Sequence, residues 1–179
     1  MVGLALLFTA AAMRLIGGLS SALAPDRRYW IHSAFTCLMI GGIAIGFWNL
    51  WSIAGVTWTL PRFLLALGIP GANYYIATVL IPENPADVPS WRDYYYATRV
   101  RFFGGLLALL MIQAVSARVL LGMAWTDPVR ILDLGFMGFA LVGMRSDNPR
   151  VHAGLAILMA VVFLSFAFVL AVQPGWLAA

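Results

Sequence analysis

Few residues in this chain offer chemistry, and most are surrounded by apolar neighbours. His32 and His152 are the possible ligands: paired histidines can hold a haem, and a single histidine can hold the magnesium of a chlorophyll-type pigment. Each stands at the start of an apolar run, beside Trp30 and Arg150 respectively, so both are expected at a membrane rim. Arg14, Asn49, Asn73, Gln113, Arg118 and Asp133 are the polar residues expected within the membrane, where such groups form ion pairs or line a path. Asp133 is placed to pair with Arg118 across a short loop. Arg14 is placed to stretch its guanidinium toward the nearer surface. Pro70 interrupts a run containing Gly68, Gly71 and Asn73, and such breaks can build ligand cavities. The densest group is "WRDYYYATRVRFFGG", Trp91 to Gly105, which crowds arginines and aromatic rings together.

No catalytic set accompanies these residues. No motif places a base and an acid beside a serine, and there is no phosphate-binding loop. The lone Cys37 rules out an internal disulfide and a cysteine-cluster metal site. The chain is therefore expected not to be an enzyme. An enzyme would need a pocket that brings Asp93 and His152 together.

The elements that position these residues follow from composition. The chain has 179 residues, 63% hydrophobic and 10% charged, against about half apolar and a quarter charged in a soluble domain. That surplus calls for lipid, and each crossing of a hydrocarbon layer of about 30 Å takes roughly 20 apolar residues. The expected fold is all-α: one membrane-embedded bundle of six transmembrane helices over 1–179. Punctuation sets the helices at about 2–23, 30–52, 60–81, 90–123, 128–144 and 149–173. Pro25, Pro82 and Pro174 stop helices, and Pro61 fits a first turn. Ser90 and Asp93 form a capping box; Asp127-Pro128 and Asn148-Pro149 open the last two helices.

All eleven basic residues are arginine. Arg27, Arg28, Arg92, Arg99, Arg101, Arg145 and Arg150 fall in or beside the first, third and fifth loops, while Arg130 and Arg62 fall toward the other end. Basic short loops favour the cytoplasm. The expected location is a bacterial inner membrane, crossed several times, with both termini on the non-cytoplasmic side. Trp30 and Trp91 would mark the inner interface, and Trp48, Trp51, Trp58, Trp125 and Trp176 the outer one. The arginines form no block or stripe suited to nucleic acid.

An unbroken helix from Ser90 to Met123 would be about 51 Å long, more than a crossing needs. Its first turns are expected to form a short amphipathic extension at the inner interface. There Trp91, Arg92, Tyr95, Tyr96, Arg99, Phe102 and Phe103 would bind lipid or a partner, rings buried and guanidinium groups reaching phosphate. Small residues supply expected packing faces: Gly42 and Gly46 as a GxxxG pair, and Gly135 and Gly138 in the fifth helix.

The segments "RLIGGLSSAL", "RRYWIHSAF", "FWNLW" and "YYIATVLIPENPADVPSWRDYYYATRVRFF" together resemble a functionally uncharacterised family of bacterial integral membrane proteins. The resemblance covers about the first two thirds of the chain. It implies a multi-helix membrane protein and no particular activity.

The function expected from these features is a non-enzymatic accessory or scaffold subunit of a larger membrane complex, photosynthetic or respiratory. It would bind membrane lipids, pigment, partner membrane proteins or copies of itself; no cofactor is specified by any motif. The alternative is a small homo-oligomeric channel or transporter with Arg14, Asn73, Gln113 and Arg118 along its path.

Overall fold

The structure is a computed structural model that describes residues 2–128 and 130–172, with side chains through Phe168. Six helices form in chain order: α1 (Val2–Ala22), α2 (Trp30–Asn49), α3 (Leu60–Leu80), α4 (Trp91–Leu121), α5 (Arg130–Arg145) and α6 (Pro149–Val172). Short 3-10 turns follow α2 at Leu50–Ile53 and precede α4 at Pro85–Asp87. The expected ends beyond Val172, and the interfacial Trp176, lie outside the described residues.

The boundaries follow the local chemistry. Ser90 Oγ accepts from the Asp93 amide at 3.3 Å, which starts α4. Asn148 Oδ1 accepts from the Arg150 amide at 2.9 Å, which starts α6. Gly122 ends α4 with φ of 71°, a left-handed conformation that glycine takes without strain, and Met123 N bonds back to Ala117 O at 3.2 Å. Pro70 leaves α3 helical throughout, and Asn73 Nδ2 donates to Ile69 O at 3.0 Å across the same turn.

Five helices, all but α5, are long and apolar enough to cross a membrane. α5 has 16 residues, about 24 Å at 1.5 Å per residue, short of the ~30 Å hydrocarbon layer. The helix is described from Arg130, and its first turn carries Arg130 and Asp133. The fold is thus an all-helical bundle in which, among the described residues, five helices are long and apolar enough to cross a membrane.

α3 packs against α1 on one side and α4 on the other. α5 lies along α4, and α6 lies along α2. The core between them holds Phe8, Leu15, Phe35, Ile43, Ile76, Leu80, Phe102 and Phe103.

The first, third and fifth interhelical loops meet at one end of the bundle. Arg27 Nη1 donates to Ala86 O at 2.6 Å and Val88 O at 2.9 Å, and Trp91 N donates to Arg27 O at 3.2 Å. Arg99 pairs with Asp147 at 2.5 Å. The arginine-bearing loops therefore share an end, as their spacing predicts.

Glycine packing differs from the pattern expected. Gly42, Gly135 and Gly138 face open space. Only Gly46 of the four packs closely, against the Phe8 ring. The tight contacts are instead Gly18 on Ile81, Gly41 on Phe163, Gly105 on Tyr75 and Ile76, and Gly143 on Phe103. Two small residues four apart share a helix face whether or not another helix lies against it.

Candidate functional site

A helix ends with carbonyls that have no partner within it. Three helices, α1, α3 and α5, end where the three loops meet, and side chains from α1, α2, α4 and α6 take up their carbonyls. Trp91 Nε1 donates to Ser21 O at 2.8 Å and Ser33 Oγ donates to Ala22 O at 3.0 Å, closing α1. α3 is closed by three donors in sequence: Tyr94 Oη to Val79 O at 2.9 Å, His32 Nε2 to Leu80 O at 3.0 Å, and Arg14 Nε to Ile81 O at 3.0 Å. His152 Nε2 reaches Ser146 O, just past α5, at 2.8 Å.

These bonds orient both imidazoles. A carbonyl only accepts, so Nε2 of each ring carries a proton. In the neutral ring, Nδ1 is then the acceptor. His152 Nδ1 accepts from Tyr95 Oη at 2.8 Å, so both of its nitrogens are occupied. His32 Nδ1 is buried without a hydrogen-bond partner, in a ring stacked on Trp91 at 4.5 Å between centroids.

Aromatic rings fill the space around these bonds. Tyr95 lies between the two histidines, with centroids 6.4 Å from His32 and 5.3 Å from His152. Phe35 stacks on Tyr95 at 6.1 Å, and Phe103 lies 5.6 Å from His152. Tyr29, just before α2, shares a 3.1 Å hydrogen bond with Tyr96. Burial first, then that bond and the neighbouring Tyr96 oxygen, raise the Tyr29 hydroxyl above the ordinary phenol range, against a weaker pull from Arg92.

The N-terminal turns of α4 are thus part of the bundle rather than an extension lying at its surface. Trp91, Tyr95, Phe102 and Phe103, expected to face lipid or a partner, are 0–1% exposed. Their N–H and O–H groups end on helix carbonyls and imidazole, and water or a headgroup would satisfy those partners less firmly. Arg92 remains exposed; Tyr96 and Arg99 are half-buried. His32 and His152, expected at an exposed rim, are 1% and 0% exposed for the same reason.

The polar residues expected within the membrane do not converge. Arg14 is at the loop end and Asn73 is buried on its own helix. Asn49 closes α2, where its carbonyl accepts from Ser52 Oγ at 2.7 Å. Gln113 and Arg118 are exposed. The expected Arg118–Asp133 pair is not formed: Arg118 donates to Gly122 O at 3.3 Å, while Asp133 pairs with Arg130 at 2.8 Å. Neighbours one helical turn apart meet more easily than residues across a loop. Arg130 also lies over the Trp125 ring, 5.5 Å from its centroid.

Tyr29, Tyr94, Ser21, Arg27 and Ser33 hold the site together and carry no motif. Ser21 and Arg27 lie at or just past the end of α1, and Tyr29, Ser33 and Tyr94 lie at the starts of α2 and α4, so only the packing of the helices brings them together around the carbonyls that end α1 and α3. Among the described residues no three His, Cys, Asp or Glu side chains stand close enough to share a metal ion.

Comparison with protein-family models finds no match for the chain, and comparison with curated proteins and with solved structures finds no significant match either. The functional reading therefore rests on the geometry above.

Proposed function

We propose that this protein is a non-enzymatic integral membrane scaffold, an accessory subunit that holds lipid and partner membrane proteins around a rigid core. One observation carries this reading. Of the side chains best suited to catalysis or ligation, His152, Tyr94, Tyr95 and Trp91 spend their polar atoms on helix ends and on each other, and His32 donates Nε2–H to Leu80 O while its Nδ1 is enclosed in the ring stack on Trp91. Reactive groups committed in this way fix structure. What the same end offers outward is charge: Arg28, Arg92, Arg101, Arg145 and Arg150 are exposed around it. Arginine-rich short loops support a cytoplasmic location for that end of the bundle in a bacterial inner membrane. With α5 as a short sixth crossing, both termini lie on the opposite side.

Purification in mild detergent tests the proposal. The protein is expected to elute with a partner protein or with bound lipid or pigment identified by mass spectrometry. Elution alone, with nothing bound, overturns it. The channel alternative draws no support from Arg14, Asn73, Gln113 and Arg118, which occupy separate places.

A further inference from the structure

We infer that the groove between the end of α5 and the start of α6 binds an anionic phospholipid, with Arg145 pairing to its phosphate. The inference rests on the membrane placement in the reading above and not on the scaffold role.

α5 packs on α4 and α6 packs on α2, so these two chain neighbours touch each other only sparsely. The furrow left between them has a volume of about 340 Å³ and is lined by Leu141, Val142, Arg145, Ser146 and Val151. Its walls are apolar, and Leu141 and Val142 are 41% and 48% exposed. Exposed Leu158 lies two turns beyond Val151 on the same face of α6, a helix long and apolar enough to span the membrane. An acyl chain lying in the furrow would therefore meet apolar side chains along its length.

The polar end of the furrow is cationic. Arg145 is the last residue of α5 and is exposed, and among the described residues it forms no ion pair. The nearest acid along the chain, Asp147, is already engaged by Arg99. Ser146 Oγ accepts from Asn148 N at 3.1 Å, which leaves its own O–H to donate. One free guanidinium and one free hydroxyl match the single negative charge of a phosphodiester. Arg150, exposed one residue before Val151, would repel the choline cation of a zwitterionic headgroup. The charge balance therefore selects an anionic lipid.

Native mass spectrometry of the full chain in mild detergent tests this, with phosphatidylglycerol and phosphatidylcholine of identical acyl chains titrated separately. The wild type is expected to retain phosphatidylglycerol preferentially. Arg145→Gln is expected to weaken that retention by about tenfold and to lower the residual binding of phosphatidylcholine too, since both lipids carry the phosphodiester. Val142→Trp, which fills the furrow from an exposed position, is expected to weaken both lipids. Arg28→Gln, which removes another exposed charge at the same end, is expected to change neither. Equal retention of the two lipids by the wild type overturns the inference, as does an Arg145→Gln protein that behaves like the wild type. Equal losses from Arg145→Gln and Arg28→Gln, or no effect of Val142→Trp, overturn it too. Preferential retention by a protein that elutes without any partner protein would uphold this site while removing only the partner-holding part of the reading above.

Discussion

Trp91 and Arg27 at one end of the bundle, and Trp51 and Arg62 at the other, are used in opposite ways, although Trp30 beside Trp91's end is 50% exposed. At the end where the arginine-bearing loops meet, Trp91 is 0% exposed and its Nε1 reaches Ser21, 70 positions away in the chain. Arg27 there ties its own loop to the carbonyls of Ala86 and Val88. At the other end Trp51 is 79% exposed, Trp48 59% and Trp125 58%. Among the described residues Arg62 donates to Thr57 O, five residues back, and Arg118 to Gly122 O, four residues ahead. One end is closed by long-range donors onto helix carbonyls. The other is dressed with local contacts and rings turned outward, as an aromatic belt would be. Rigidity in this molecule is thus expected to be concentrated where its helix ends need partners.

Paired tryptophan truncations give the largest test of that asymmetry. Trp91→Ala removes a fully buried ring and leaves Ser21 O without its donor, so it is expected to cost about 3–5 kcal/mol. Trp51→Ala, at an exposed ring, is expected to stay within about 0.5 kcal/mol of the wild type. Thermal unfolding in one detergent, followed by circular dichroism, measures both. Similar losses from the two variants would erase the distinction between the ends.

Glycine contacts provide a test of intermediate size. A Cβ at Gly143 would lie 2.5 Å from Phe103 ring carbons, whereas one at Gly138 would meet nothing within 4 Å. Gly143→Ala is expected to destabilise by about 1–3 kcal/mol through overpacking. Gly138→Ala is expected to be neutral or to stabilise by up to about 1 kcal/mol, since alanine is the better helix former. The same unfolding measurement decides it, and a destabilised Gly138→Ala would mean that α5 packs by its other face.

Much of the fold was legible because helix ends carry punctuation. Ser90, Asn148-Pro149, Pro61 and Pro82 set boundaries that the structure keeps within a residue or two. The parity of successive crossings brought Arg27 and Arg99 to one end, and the contacts at Val88 and Asp147 agree. The destinations of side chains were not legible. When nearly every residue is apolar, periodicity cannot separate a ring that faces lipid from one that faces a neighbouring helix. Trp91 and Trp51 look alike in such a pattern. Position relative to carbonyls that need donors distinguishes them, and that depends on which helices end together in space. The Gly42/Gly46 pair misleads for a related reason. The motif reports a shared face and says nothing of what stands opposite it.

The finest test separates a hydrogen bond from the ring that carries it. Tyr95→Phe keeps the aromatic stack on Phe35 and removes only the oxygen that donates to His152 Nδ1. That nitrogen is then left buried without a partner, because Nε2 must still donate to Ser146 O. Interhelical hydrogen bonds of this kind in membrane bundles are worth about 0.6–2 kcal/mol, so the variant is expected to lose that much. Tyr75→Phe, at a ring 46% exposed, serves as the matched control and is expected to change nothing measurable. The loss should also be local. Amide exchange is expected to rise where His152 braces the end of α5, around Arg145 and Ser146, while the α3 end under Tyr94, His32 and Arg14 keeps its protection. If the α3 end loosened equally, the caps would be acting as one cooperative unit, and the buried contacts of Tyr95 with Tyr29 and His32 would be the route between them.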